Sequence, residues 1–265
     1  MRFASLGSGS EGNALVVEVS EGGSTTRVLL DCGFALRDCE RRLARLGLEA
    51  GSLAAIVVTH EHGDHVGGVE RLARKHDIPV WMTYGTFVAS RIGGAGMIKA
   101  ALDIEINLID AHAPFRIGDM ELHPFPVPHD AREPAQYVFS DGARRLGVLT
   151  DLGSSTPHVE SMLSACDALV LECNHDSAML MGGAYPPSLK ARVGGKYGHL
   201  ANQASAALLS RVMHGGLQHV VAAHLSGQNN TPALARAALA GALGCAEDWV
   251  GIADQELGFD WRGID

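Results

Sequence analysis

Hydrophobic and polar positions divide the chain into two stretches of similar style. Short β-rich runs come first, at residues 2–6, 15–19 and 27–30, separated by Gly and Ser clusters that read as turns. Leu36, Leu43 and Leu46 then recur at helical spacing over residues 36–46, with Arg37, Arg41, Arg42 and Arg45 between them as a solvated face. Residues 55–59 read as a fully buried strand that ends at His60. Val66, Val69 and Leu72 share one face of a helix predicted over 66–75, and 79–82 is another short strand.

The second stretch repeats the style. Residues 105–109, 120–127, 136–140 and 146–150 are strands, the longest of them closed by Pro124, Pro126 and Pro128. Thr156 is a good N-cap and Pro157 is tolerated at a first turn, so a helix opens there and runs to 165. Strand 168–172, helix 201–213, strand 219–223, helix 232–243 and strand 249–252 follow. Strands that first dominate and then alternate with helices, twice over, predict an α/β fold of two sheets between helical layers.

Composition narrows this picture. The 265 residues suit one large domain over 1–265, and 46% hydrophobic with 19% charged residues is ordinary globular usage. No apolar run approaches the roughly 18 residues of a membrane span, and residues 1–6 lack a signal-peptide pattern, so the expected location is the cytoplasm. The five cysteines form no CxxC pair and read as reduced, small core residues. A formal charge of −9 weighs against a nucleic-acid partner, although cations bound in a cleft would offset part of it where an anion must sit.

Chemistry concentrates in Thr59-His60-Glu61-His62-Gly63-Asp64-His65-Val66. Four ligand-capable side chains lie within six residues at a strand end, and Gly63 is placed to let the backbone turn sharply. Imidazole with carboxylate suits zinc, manganese or iron.

This segment resembles the HxHxDH signature of the metallo-β-lactamase superfamily, whose fold is a four-layer αββα sandwich. The resemblance implies two divalent metal ions, zinc or manganese. One would take His60, His62 and His129, the other Asp64, His65 and His224, with Asp151 and a water between them, every ligand ending a strand. Asp31 would orient the signature loop from behind. True β-lactamases commonly carry Cys in place of Asp151, and flavodiiron relatives carry Glu in place of His62, so both of those branches fit less well.

Further motifs are similar to the YycJ (WalJ, VicX) branch, relatives of RNase Z and the β-CASP nucleases. They are Leu6-Gly7-Ser8-Gly9-Ser10-Glu11-Gly12-Asn13, Glu172-Cys173-Asn174-His175-Asp176, Gly198-His199-Leu200-Ala201-Asn202, and His224-Leu225-Ser226 followed by Asn229-Asn230-Thr231-Pro232. Ala201 departs from relatives with Ser there, and the chain has no room for a β-CASP insertion or an RNase Z arm.

The branch implies a dinuclear phosphodiesterase acting on DNA as a 5′-end exonuclease, through a metal-bridging hydroxide. The catalytic set is Asp64, His199 and Glu172, with His199 protonating the leaving oxygen and Glu172 beside it. Glu172 and His175 read alternatively as a loop salt bridge or a solvated pair. Residues 7–13 are either a tight turn or a phosphate cradle, in which Ser8 and Asn13 would touch substrate together with Lys196 from the segment holding Lys190 and Arg192. Two other functions stay open: hydrolysis of a small phosphodiester or cyclic phosphate, which the net charge favours, and a non-catalytic metal-bound regulator. DNA is the expected partner, with no membrane.

Overall fold

The computed structural model describes residues 1–92 and 103–265. The N-terminal half holds β1 (Arg2–Gly7), β2 (Ala14–Glu21), β3 (Ser24–Leu30), α1 (Leu36–Arg45), β4 (Ala55–Val57), α2 (Gly63–Val66), α3 (Val69–His76), β5 (Val80–Thr83), α4 (Tyr84–Ser90) and β6 (Ile106–Ile109). The C-terminal half holds β7 (Phe115–Ile117), β8 (Met120–Pro126), β9 (Ala135–Ser140), β10 (Arg145–Leu149), α5 (Pro157–Leu163), β11 (Ala168–Glu172), α6 (Ser177–Gly182) and α7 (Pro187–Val193). α8 (Asn202–Val212), β12 (His219–Ala223), α9 (Pro232–Leu243), β13 (Gly251–Ile252) and β14 (Phe259–Gly263) complete it.

The strands form two seven-stranded sheets, ordered β14-β1-β2-β3-β4-β5-β6 and β13-β12-β11-β10-β9-β8-β7. Each is mixed: β3 to β6 and β10 to β13 run parallel, and their flanks are antiparallel.

Alternation assigns the faces. On β2, Leu15, Val17 and Val19 enter the core between the sheets, while Ala14 and Val16 meet the core under α1 and α3. On β11, Ala168 and Val170 face the other sheet, and Leu169 and Leu171 pack under α5, α8 and α9. Central strands are apolar on both faces because both faces are covered, which is why they read as continuous runs rather than alternating ones. The layers are therefore helix, sheet, sheet, helix. Two hydrogen bonds stitch the sheets together at the buried end of β4: Tyr137 Oη donates to the Val58 carbonyl at 3.1 Å, and Ala135 N to the Thr59 carbonyl at 3.0 Å. No helix among the described residues is long and apolar enough to cross a membrane.

Several expectations shift. The helix expected over 66–75 is two, α2 and α3, divided at Gly67 and Gly68; a Cβ on Gly68 would stand 1.9 Å from the Phe34 carbonyl, so only glycine lets the 33–34 loop approach. α4, α6, α7, β7 and β14 escape the sequence reading because runs this short hold too little periodicity. Cys245 is exposed, unlike the other four cysteines.

Arg42 corrects the solvated arginine face, since it is 5% exposed. Its Nη1 donates to the carbonyls of Leu6 (2.8 Å), Gln255 (3.2 Å) and Glu256 (2.5 Å), its Nε to Asp38 (2.9 Å), and the guanidinium lies 4.0 Å from the Phe34 ring centre. One side chain thus ties α1 to the end of β1 and to the loop before β14. Arg42→Ala strands these carbonyls and is expected to cost about 2–3 kcal/mol, lowering Tm by roughly 4–12 °C. Arg41→Ala, on an exposed pair, should stay within about 0.5 kcal/mol. Equal shifts for the two variants in thermal melts would show that Arg42 ties nothing together.

Candidate metal centre

The ionisable side chains gather where the parallel strands of both sheets end, the usual place for a site in α/β sheets. Asp31 follows β3, Thr59 and His60 follow β4, Asp151 follows β10, Glu172 closes β11 and His224 follows β12. Asp64 and His65 do not end a strand as expected; they ride on the single turn α2. Nor does Gly63 make the turn. Its φ is not positive and a Cβ there would meet open space. The close approach falls on Gly33, where a Cβ would stand 1.9 Å from the Asp64 carbonyl oxygen.

Nitrogens of His60, His62 and His129 converge, with Nε2 of His60 3.0 Å and Nε2 of His129 3.3 Å from Nδ1 of His62. Ligand nitrogens about 2.0–2.1 Å from a tetrahedral zinc stand roughly 3.3–3.4 Å apart, so the spacing fits a shared cation. Asp64, His65 and His224 form a second such set, and Asp151 lies beside His65 at 3.1 Å and His224 at 3.4 Å. The Asp151 Oδ2 and His224 Nδ1 atoms are buried with no hydrogen-bond partner, which is costly unless an ion takes them. The His and Asp clusters are consistent with a dinuclear metal site.

Surrounding groups fix each ring. His129 Nδ1 donates to the Gly198 carbonyl at 3.0 Å, leaving Nε2 its lone pair. His60 Nδ1 meets Thr59 Oγ1 at 3.0 Å, and that hydroxyl donates to Asp31 Oδ2 at 2.9 Å. Asp31 also accepts from Thr59 N and from His65 Nδ1, both at 2.8 Å. Asp31 and His224 adopt left-handed φ of 61° and 53°, strain held by the site around them.

The two sets differ in charge. Burial holds His60 and His129 below the ordinary imidazole value, so both are neutral donors. Burial pulls His65 and His224 the same way, but Asp151 with Asp31 for the first, and Asp151 with Asp64 and Glu172 for the second, outweigh it. His65 is held well above its usual range and His224 is pushed up to about 10. Burial favours the neutral Asp151 carboxyl, yet the surrounding imidazoles keep it well below its usual value.

A beta-lactamase superfamily domain model matches residues 26–224. The chain belongs to the metallo-beta-lactamase superfamily. It is 35% identical to the exodeoxyribonuclease YycJ of Bacillus anthracis over 236 residues, covering 89% of this chain and 86% of that one. It is 29% identical to the exodeoxyribonuclease WalJ of Streptococcus pneumoniae over 251 residues, covering 95% and 91%. Zn(2+)-bound PqqB from Methylobacterium extorquens superposes with a TM-score of 0.71 at 17% identity, over the whole of both chains. The αββα fold and a metal-dependent hydrolase related to these exodeoxyribonucleases follow.

Within this superfamily fold the remaining sequence candidates separate. His199 and Glu172 reach the centre: His199 Nδ1 donates to Glu172 Oε1 at 2.6 Å, while Glu172 Oε2 accepts from Leu152 N (2.8 Å) and Leu200 N (3.1 Å). Glu172 is fully buried, which removes the solvated-pair alternative. Ser8 and Asn13 are buried too and face inward. His224 N donates to Ser8 Oγ (2.9 Å), Ser8 Oγ donates to Asn13 Oδ1 (2.8 Å), and Asn13 N donates to the Asp64 carbonyl (2.8 Å). Their side chains therefore brace Asp64 and His224 from behind in place of the expected phosphate contact. Lys196 is exposed and does not line the cleft, a space of about 350 Å³ reached instead by Ser10, Asp130 and Arg192. Arg192 Nε donates to Asp130 Oδ2 at 2.6 Å. Sequence reasoning missed Thr59, Ser10 and Asp130, although Thr59 and Asp130 directly neighbour His60 and His129.

Because His65 and His224 carry protons that a cation must displace, metal uptake should release at least one proton per chain. Protonation of His224 stabilises the metal-free fold fully below an unfolded value near 6.5 and is lost as pH rises through about 10. Apparent metal affinity should thus climb with pH across that window. Calorimetric titration of the metal-free protein in two buffers of different ionisation enthalpy measures the proton count; identical heats would contradict it.

Proposed function

We propose that the protein is a dinuclear metal-dependent phosphodiesterase that degrades DNA as a 5′-end exonuclease. His60, His62 and His129 would hold one ion, and Asp64, His65 and His224 the other, with Asp151 available beside both sets. Zinc or manganese supplies, when bound, charge neutralisation on the phosphoryl group and activation of the attacking water.

The observation that carries the reading is the His199–Glu172 pair at the edge of these clusters. Glu172 holds the Nδ1 proton of His199, so a proton for a departing alkoxide would come from Nε2 of the doubly protonated ring, which is left neutral with its Nδ1–H still bonded to Glu172. His199 is also the partly exposed member, with 21% of its side chain open, whereas Glu172 has none. Arg192 is the only lysine or arginine lining the cleft among the described residues, and it offers a guanidinium to a phosphate oxygen. The exodeoxyribonuclease names of the YycJ and WalJ relatives support DNA as substrate. A small phosphodiester is the second reading, favoured by the charge of −9 and by a cleft of about 350 Å³. DNA would contact several phosphates and lose affinity steeply with salt, and a small diester would not.

Asp151, Glu172, His199 and His224 also lie close enough to hold an ion among themselves, so the role of His199 is decided by metal content. His199→Ala should retain two metal ions per chain and lose roughly 10²- to 10⁴-fold in rate on DNA. Bis(p-nitrophenyl) phosphate needs no proton for its leaving group and should be cleaved at nearly the native rate. Loss of an ion, or equal losses on both substrates, would return His199 to a metal-binding or structural role.

A further inference from the structure

α7 separates two concave surfaces. Arg192 and Val193 line the metal cleft, whereas Lys190 and Ala191 line a second cavity of about 550 Å³ on the other side of the helix. No residue of α7 is buried, so the helix is a wall between the two, about 10 Å thick with its side chains. The cavity is the larger of the two spaces, and nothing in the hydrolytic scheme uses it.

Its lining is distinctive. Leu180 and Met181 of α6 and Pro187 and Ala191 of α7 make apolar walls, with Met181 68% exposed. His175 also lines it, although that residue is only 3% exposed. The His175 Nδ1 is buried without a hydrogen-bond partner and is closed off from the cavity by its own burial. Lys190 lies at the same cavity, its Nζ donating to the Met181 carbonyl at 2.6 Å across the gap between the helices. His175 is also joined by a backbone bridge to Ala201, two residues beyond His199, so the cavity and the proton donor share one framework.

Apolar walls and a nearby ammonium match a group with flat apolar faces and a phosphate attached. We propose that the cavity between α6 and α7 is a nucleobase subsite, taking the unstacked base of a nucleotide one or two positions from the scissile phosphate. A strand whose phosphate lies in the cleft beside Arg192 crosses α7 to place that base, and Lys190 stands where the intervening phosphate passes. The inference rests on the DNA reading of the cleft.

An abasic scan tests it. Oligonucleotides carrying a single abasic unit, moved one position at a time through the cleavage point, should show KM raised roughly 5- to 100-fold at one position, the loss expected when one stacked base is removed. Ala191→Trp fills the cavity from an exposed helix position; its KM for intact DNA should rise to the native protein's abasic level, and its scan should be flat. Met181→Ala, at an exposed wall position, should move KM in the same direction by less, and it guards against misfolding of the larger substitution. If DNA is cut but the native scan is flat, or if Ala191→Trp weakens intact and abasic DNA by the same factor, the cavity holds no base while the nuclease reading stands. If the native protein neither binds nor cuts DNA, the nuclease reading fails and the subsite with it.

Discussion

One buried carboxylate, Asp31, does two jobs that cannot be separated. It takes the Thr59 amide and hydroxyl, which sets the path of the chain leaving β4, and it takes the Nδ1 proton of His65, which sets that ring's tautomer. The fold of the first sheet and the donor geometry of the cluster are therefore fixed by the same atoms. Burial pushes the Asp31 carboxyl above its ordinary value, and the neighbouring His65 pulls against that, so each stabilises the charged form of the other. The left-handed φ of Asp31 is the conformational expense of turning out of β3 just where the carboxylate is needed.

The second sheet meets this arrangement through Asp151, Glu172 and His224, and the halves are also tied by polar contacts at other rims, such as Asp119 N to Thr26 Oγ1 and His219 Nε2 to the Gly263 carbonyl. Elsewhere the inter-sheet core is apolar, so the sheets are held face to face by packing while their strand ends are free to carry charge. That division explains why the Ser8–Asn13 loop is built as it is. It reaches from β1 to Asp64 on one side and to the His224 amide on the other, closing the far edge of the cluster with neutral hydrogen bonds that add no further charge to a crowded site.

How much of this the sequence disclosed follows from element length and from which residues carry chemistry. Strands 168–172 and 219–223 and helix 232–243 were legible to the residue, because each is a continuous run with a clear boundary. The grouping of His60, His62, Asp64 and His65 was legible through spacing, whereas His129, Asp151 and His224 were legible only through the resemblance to the metallo-β-lactamase superfamily. Arg42 was not: helical periodicity put it on a polar face, and only the return of the 255–256 loop, more than two hundred residues later, covers it. Asn13 looked like a ligand contact because its glycine-rich setting leaves the direction of an amide side chain open; tertiary structure turns it inward. α6 and α7, with six and seven residues, gave too little pattern to be seen, although α7 lines the metal cleft and both line the cavity beside it.

On the proposed DNA reading, an acidic chain would have to engage the strand with few cations. The charge of −9 disfavours long contact with a phosphate backbone, whose affinity grows with the number of ions it releases. Against that background a single guanidinium in the cleft, balanced by Asp130, and two bound metals would concentrate positive potential at one point. A protein so arranged holds one or two phosphates strongly and the rest of the strand weakly. That asymmetry suits an enzyme working at a strand end, where one nucleotide is engaged and the remainder lies outside, better than one that tracks along a duplex. Any added discrimination would then come from contacts that do not depend on charge, and the cavity between α6 and α7, across the helix from the cleft, offers apolar surface for them.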